Sequence, residues 1–237
     1  MSTTIPRLEA DSILNEDEIA ALRRISSPTI ANAIETFRIR PRTEGVTRAG
    51  VRCVFPEFGT LVGYACTATI MSGQPAPANR RISRTDYWEY TRMQPSPKLT
   101  VVQDLSSIPG GAYWGEVNAN IHLALGSLGV ITNGLVRDLV EVRRTGFHLF
   151  ASGESVSHGF AHLEDFNRPV QVFGMTVNPL DLVHADRHGA VVIPAEIARD
   201  VVEAALEIDR EERVMIDLCR SKEFSIEKLD KLISPEY

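Results

Sequence analysis

Between residues 99 and 152 the chain alternates apolar, strand-like runs with helical stretches, and this order limits the fold more than any other feature. LTVVQD reads as a buried strand ending at Asp104. A helix follows the GGAYWGE turn, with Val117, Ile121, Leu125 and Leu128 as its apolar stripe and Gly129 at its C-terminal end. VITNG is a second strand. VRDLVEVRRTG is a second helix, with Leu139 and Val142 inward and Gly146 just past its end. HLFAS is a third strand. Strands joined through helices run parallel, because a parallel neighbour needs a long crossover to return the chain to the same edge. The expected class is α/β with a central βαβαβ core.

The flanks can be read in the same way. Asn15, with Glu18 three residues later, marks a capped helix whose face is Ile19, Leu22 and Ile25. SSPTIANAIETF offers Ser27 as a second cap, Pro28 at the first helical position, and Ile30, Ile34 and Phe37 as a stripe. GVRCVF and GTLVGYACTATIM read as strands. Residues 72–98 contain four prolines and read as a long loop around one short helix near residues 85–91. Arg80, Arg81 and Arg84 fall close together there, in a loop that serves either a function or a subunit contact. VQVFGMTV, DLVHA and AVVIP are strands, NPLD is a turn and DRHG a hairpin turn. One helix is expected from Ala195 to about Arg220, with Ile197, Val201, Ala204 or Ala205, and Ile208 on one face. Its charged later half should leave the core. The expected organisation is a single domain over residues 1–237, with two helices in residues 1–40 and the C-terminal helix and tail in 195–237.

With 43% apolar residues in 237, a sizeable core is available. A net charge of -6 argues against general nucleic-acid binding, which needs clustered basic residues. Cys53, Cys66 and Cys219 form no C-x-x-C pair, and the first two sit in apolar, strand-like surroundings, as buried thiols of a reducing compartment do. MSTTIPRLEADS has no apolar core of a signal peptide, and no apolar run approaches the roughly 20 residues of a membrane span. No membrane role is expected, and the expected compartment is the cytoplasm.

Chemistry concentrates in Glu116, Arg137, Asp138 and Glu141, spaced E-x20-R-D-x2-E around one core strand. A guanidinium grips a carboxylate in a two-pronged fork, and carboxylates ligate hard cations, so the set can hold a divalent metal and an anionic substrate together. The same residues have a structural reading: Asp138 favoured at a helix N-terminus, and Arg137 paired with Glu141. GGAYWGE is a glycine-containing turn into a helix, which can receive a carboxylate or phosphate, but it is neither a dinucleotide fingerprint nor a P-loop. His158 and His162 have a helical metal spacing that Gly159 interrupts, so they read as surface histidines, and His184 and His188 read as structural. Ser152, Ser155 and Ser157 lack the G-x-S-x-G context of a hydrolase. Lysine is scarce: Lys98, Lys222, Lys228 and Lys231 are the whole set, and only Lys98 lies in the body of the chain. Schiff-base chemistry therefore has one plausible donor, at the entry to a strand.

SPTIANAIE, GYACTATI, WGEVNANIHLALGSLGVITNGLVRDLVEVRRTGFHLFASG and NPLDLVHADRHGAVVIP together resemble the RraA-like family over roughly residues 26–193. That family includes class II 4-hydroxy-4-methyl-2-oxoglutarate/4-carboxy-4-hydroxy-2-oxoadipate aldolases. The resemblance implies an α/β sandwich with a long C-terminal helix, assembled as a trimer or hexamer with sites between subunits. It implies a lyase that cleaves a small 2-oxo acid through a pyruvate enolate, by retro-aldol cleavage or oxaloacetate decarboxylation, with Mg²⁺ or Mn²⁺. Gly115, Glu116, Val117 and Asn118 would bind substrate through backbone N–H groups. Arg137 would bind the pyruvyl carboxylate, Asp138 the metal directly, and Glu116 a metal-bound water. Glu212 of a neighbouring subunit, with Glu211 as the alternative, would hold another water, and Glu141 would orient Arg137. The alternatives that the resemblance carries are a regulator that binds a ribonuclease and a related sugar-acid lyase or hydratase. NPLD stands where many members have a P-G-D type turn, and residues 72–98 and 153–168 look particular to this chain.

Overall fold

A computed structural model of the chain describes residues 13–78 and 82–233. The N-terminal residues read above for a signal peptide, together with Arg80 and Arg81, lie outside them.

Asn15 caps α1 (Glu16–Arg23) through the reciprocal box with Glu18. The cap of α2 (Ser27–Thr36) is Ser26, one residue earlier than its sequence suggests: the Ser26 side chain accepts from the Thr29 N–H. Ser27 becomes the first helical residue and turns inward. The strands β1 (Arg52–Cys53) and β2 (Leu61–Met71) follow, then α3 (Arg84–Met93) and β3 (Lys98–Asp104). Next come β4 (Ala112–Trp114), α4 (Glu116–Ala124), β5 (Ser127–Thr132), β6 (Leu135–Val136), α5 (Leu139–Thr145), β7 (His148–Ala151) and β8 (Gly153–Glu154). The remainder is β9 (His162–Phe166), β10 (Val170–Val172), β11 (Met175–Val177), β12 (Leu182–Asp186), β13 (Gly189–Ile193), α6 (Val201–Arg220) and α7 (Ile226–Asp230).

The large sheet runs in the order β1-β7-β5-β3-β2-β12-β13. Strands β2, β3, β5 and β7 are mutually parallel, as the βαβαβ order requires. The long strand β2 serves two partners on its far side, pairing with β12 at one end and β9 at the other. Its small residues allow close packing: a Cβ at Gly63 would stand 3.0 Å from the Lys98 backbone.

A second, three-stranded parallel sheet, β4-β6-β8, was not legible in the sequence. Its members follow β3, β5 and β7 along the chain, so each core strand feeds one strand of the small sheet. Asn133 marks the split. Its side chain takes both backbone groups of Asp104, at 2.7 and 2.9 Å, where a strand neighbour would otherwise do so. Ser152 donates to Gly134 O at 2.9 Å beside it.

Adjacent strand residues face opposite sides. Val102, Val130 and Leu149 pack in the cluster under α3–α5, while Val101, Ile131 and Phe150 pack on the other face against the β10–β11 hairpin. VQVFGMTV is that hairpin rather than one strand, and Phe173 and Gly174 at its tip both have positive φ. A third cluster joins α1, α2 and the start of α6 to β12 and β13.

The predicted stripe of α4 is incorrect. Ala119 and His122 are buried, Val117 is 73% exposed, and Leu125–Gly126, not Gly129, end the helix. A polar histidine held the buried position that a hydrophobic-only pattern could not find. The expected helix from Ala195 breaks into a short 3-10 turn, Ala195–Ile197, and then α6, whose residues after Ile208 are largely exposed. In NPLD, Leu180 has φ 72, the left-handed region that glycine tolerates. The strain of roughly 1 kcal/mol is held by burial of the Leu180 side chain and by the Asp181 carboxylate, which accepts from the Asn178 N–H at 2.7 Å.

Candidate active site

The turns leaving β4 and β6 meet at one cleft. The Arg137 N–H donates to Trp114 O at 2.9 Å, which sets the two turns side by side. Gly115 is the N-cap of α4 and supplies no side chain. A Cβ there would stand 2.5 Å from Asp138 Oδ2 and 3.1 Å from Arg137 Cγ. Glycine is therefore required by close approach, not by backbone conformation.

Asp138 precedes α5 but does not cap it. Its backbone is left-handed, φ 55 and ψ 42, and its side chain makes no hydrogen bond to its own helix. An aspartate in that region costs about 1 kcal/mol or more. The strain turns the carboxylate toward α4, where Oδ2 accepts from the Glu116 N–H at 3.1 Å. Arg137 Nε lies 3.6 Å from the same oxygen, and both side chains are a little over one-third exposed. Among the described residues no hydrogen bond reaches Oδ1. Both structural expectations for this pair therefore fail in detail. Asp138 serves the dipole of α4 rather than α5, and the ion pair of Arg137 is with Asp138 rather than with Glu141, which is exposed on α5.

The cleft has a volume of about 320 Å³. Gly115, Val117, Asn118, Arg137 and Asp138 line it. Glu116 contributes its N–H to Asp138 while its side chain is exposed. Asn118 Nδ2 donates to Tyr113 O at 2.5 Å. Arg84, Tyr113 and His158 also line the cleft. The sequence reads His158 as a surface histidine, and no local signal distinguishes it. Arg84 stood out only as one of three nearby arginines.

The floor beneath α4 is aromatic and neutral. His122 Nδ1 lies 2.8 Å from Asn118 O, which can only accept, so Nδ1 carries the proton. Nε2 then accepts from the Tyr87 hydroxyl at 3.1 Å. Burial pushes His122 down to about 4 and the Tyr87 phenol well above its usual value, so neither carries charge at neutral pH. The Trp114 ring lies 4.5 Å from that of His122.

Other candidate groups do not join the cleft. Lys98 is buried, and its Nζ donates to Thr91 O and Arg92 O at 3.0 Å each, closing the end of α3. Burial pushes Cys66 up to about 12 and Cys53 to about 11, which keeps both as thiols. His162 lies in β9 and pairs with Glu164 at 2.8 Å. His184 and His188 are structural: His184 is fully buried against Ser27 and Leu22, and His188 contacts Asp186. Glu212 is on α6 and lines a separate groove with Met215, Ile216 and residues of α7. Among the described residues no cluster of three His, Cys, Asp or Glu could enclose a metal.

The model of the RraA-like family, described as Aldolase/RraA, matches residues 27–192. Protein DlpA of Legionella pneumophila is 31% identical over 104 residues, 43% of this chain and 17% of its own length. The uncharacterized protein MJ0644 of Methanocaldococcus jannaschii is 33% identical over 106 residues, 43% of this chain and 50% of its own. The chain thus spans at most half the length of these two relatives. A putative 4-hydroxy-4-methyl-2-oxoglutarate aldolase of Halalkalibacterium halodurans is 24% identical over 80% of this chain and 82% of its own. Among solved structures, an uncharacterized protein from Pseudomonas syringae superposes with a TM-score of 0.72 at 22% identity, covering 98% of this chain and 100% of that one. Streptomyces coelicolor RraAS2, described as an unusual member of the RNase ES inhibitor RraA protein family, gives 0.68 at 22%, covering 85% and 96%. At these identities the likeness establishes the fold.

Proposed function

The chain belongs to the RraA-like family, and from that premise we propose that it is a divalent-metal-dependent lyase that cleaves a small 2-oxo acid through a pyruvate enolate. The observation that carries this reading is Asp138, held in a strained conformation beside Arg137 with its carboxylate facing the backbone of Gly115 and Glu116. Strain of this kind concentrates where a side chain must be aimed.

In this reading Arg137 receives the pyruvyl carboxylate in its fork and stays beside the oxygen on which enolate charge develops. The N–H groups of Gly115, Val117 and Asn118, at the positive end of α4, face the same anion, while that of Glu116 serves Asp138. Asp138 would be the direct ligand of Mg²⁺ or Mn²⁺. The donor set fits: Oδ1 is open, the side chain is partly exposed, and a hard cation of this type keeps several waters and needs few carboxylates. Glu116, and Glu212 from a neighbouring subunit of a homotrimer or hexamer, would hold two of those waters. When bound, the metal supplies Lewis-acid stabilisation of the enolate. A Schiff-base route is disfavoured, because the amine of Lys98 is committed to the end of α3 rather than the cleft.

Oxaloacetate incubated with the protein and Mg²⁺ or Mn²⁺ should release pyruvate, and EDTA should stop it. Undiminished release from Arg137→Ala or Asp138→Ala would sink the proposal. The described name of the Streptomyces relative keeps a second reading, a regulator of a ribonuclease, which the net charge of -6 suits electrostatically. Recovery of an endonuclease by the purified chain, without turnover of any 2-oxo acid, would favour it.

A further inference from the structure

We infer that Arg84 is a specificity-determining residue that receives the distal carboxylate of a 2-oxo diacid lying across the cleft from Arg137. This rests on the enolate reading above.

Arg84 is the first residue of α3, and its helix start is fixed by Ser83, whose side chain accepts from the Asp86 N–H at 3.1 Å. Arg84 lines the same cleft as Arg137 and Asp138. Arg84 and Arg137 are the two arginines among the residues that line that space, beside Asp138. Once the pyruvyl carboxylate occupies Arg137, Arg84 still lacks an anion. Among the described residues it forms no ion pair, whereas Arg92 on the same helix is gripped twice by Glu89, at 2.9 and 2.6 Å.

The position of Arg84 is held from below. It lies three residues before Tyr87, on the side of α3 that Tyr87 and Thr91 bury. The Tyr87 hydroxyl bonds His122, and His122 bonds the Asn118 carbonyl, so the start of α3 is tied to the helix that carries Gly115 to Asn118. A cleft of about 320 Å³ holds on the order of ten water volumes. That is room for a five- or six-carbon diacid.

The test compares 2-oxoglutarate with 2-oxopentanoate, which differ in a terminal carboxylate against a methyl group. Binding of each is measured by calorimetry in Mg²⁺, and pyruvate methyl-proton exchange is followed by NMR on the same samples. The wild type should prefer 2-oxoglutarate on the order of tenfold. Arg84→Gln should erase that preference by weakening 2-oxoglutarate, and Arg84→Lys should keep part of it. Arg84 is exposed, so neither change should disturb folding. No preference in the wild type, or the same preference in Arg84→Gln, overturns the inference. An Arg84-dependent preference without any pyruvate exchange supports the role of Arg84 and overturns the enolate reading alone.

Discussion

Two regions of the molecule gather polar residues, and they do so in opposite ways. Under α2, Ser27, His184 and Asp186 come together in a cluster that resembles a catalytic triad by residue type. His184 Nε2 lies 3.1 Å from Leu22 O, which only accepts, so the Ser27 hydroxyl donates to Nδ1 at 2.9 Å. Asp186 Oδ2 accepts from the Ser27 N–H at 2.9 Å, and Oδ1 from the His188 N–H at 2.8 Å. Every polar atom is spent, and His184 is 0% exposed. At the small sheet, Arg137 and Asp138 are over one-third exposed and loosely paired, and Asp138 is held in a strained backbone conformation. A saturated, buried network specifies a fold, whereas an under-partnered, aimed pair has capacity left for a ligand.

The sharpest way to break this contrast is to remove one residue from each side. Asp138→Ala or Arg137→Ala should cut 2-oxo acid turnover by about 10²–10³-fold while the denaturant midpoint scarcely moves. A large stability loss with turnover retained would reverse the roles. Gly115→Val probes the same side through packing. Its Cβ would stand 2.5 Å from Asp138 Oδ2, and it should cost on the order of tenfold to a hundredfold in kcat/KM. On the other side, His184→Ala should destabilise by about 2–4 kcal/mol in urea titration, with activity per folded molecule unchanged.

The last expected effect is in pH. Burial lowers His184, and pushes His122 and His148 to about 4 from 6.5. The folded state keeps these rings neutral, while the unfolded chain takes up protons near 6.5. Their contribution to stability is therefore complete above pH 6.5 and declines as pH falls from 6.5 toward 4. Melting temperatures at pH 7.5 and 5.0 should differ accordingly, and equal values would show that these rings are not buried as neutral groups.

The βαβαβ order, the Asn15–Glu18 box and the β12–β13 hairpin turn were legible because each rests on residues within a few positions of one another. The stripe of α4 was misread because His122, a polar residue, occupies its buried side through bonds to Tyr87 and Asn118. The two- and three-residue strands of the small sheet carry too few residues to show any period, and Asn133 and Ser152 define them through contacts distant in the chain. Within the candidate site, Arg137, Asp138 and Gly115 stood out by type and spacing. Arg84 and His158 reach the cleft from segments whose path nothing local records.

The amino-acid order alone determined the parallel core and the residues with chemistry to offer, since alternation and helix caps act over one or two turns. Only the tertiary structure decided which of those residues face one another. The carboxylate of Asp138 could have capped its own helix. It turns to α4 because the small sheet brings Gly115 against it with no Cβ between them, and that approach depends on two crossovers packing together.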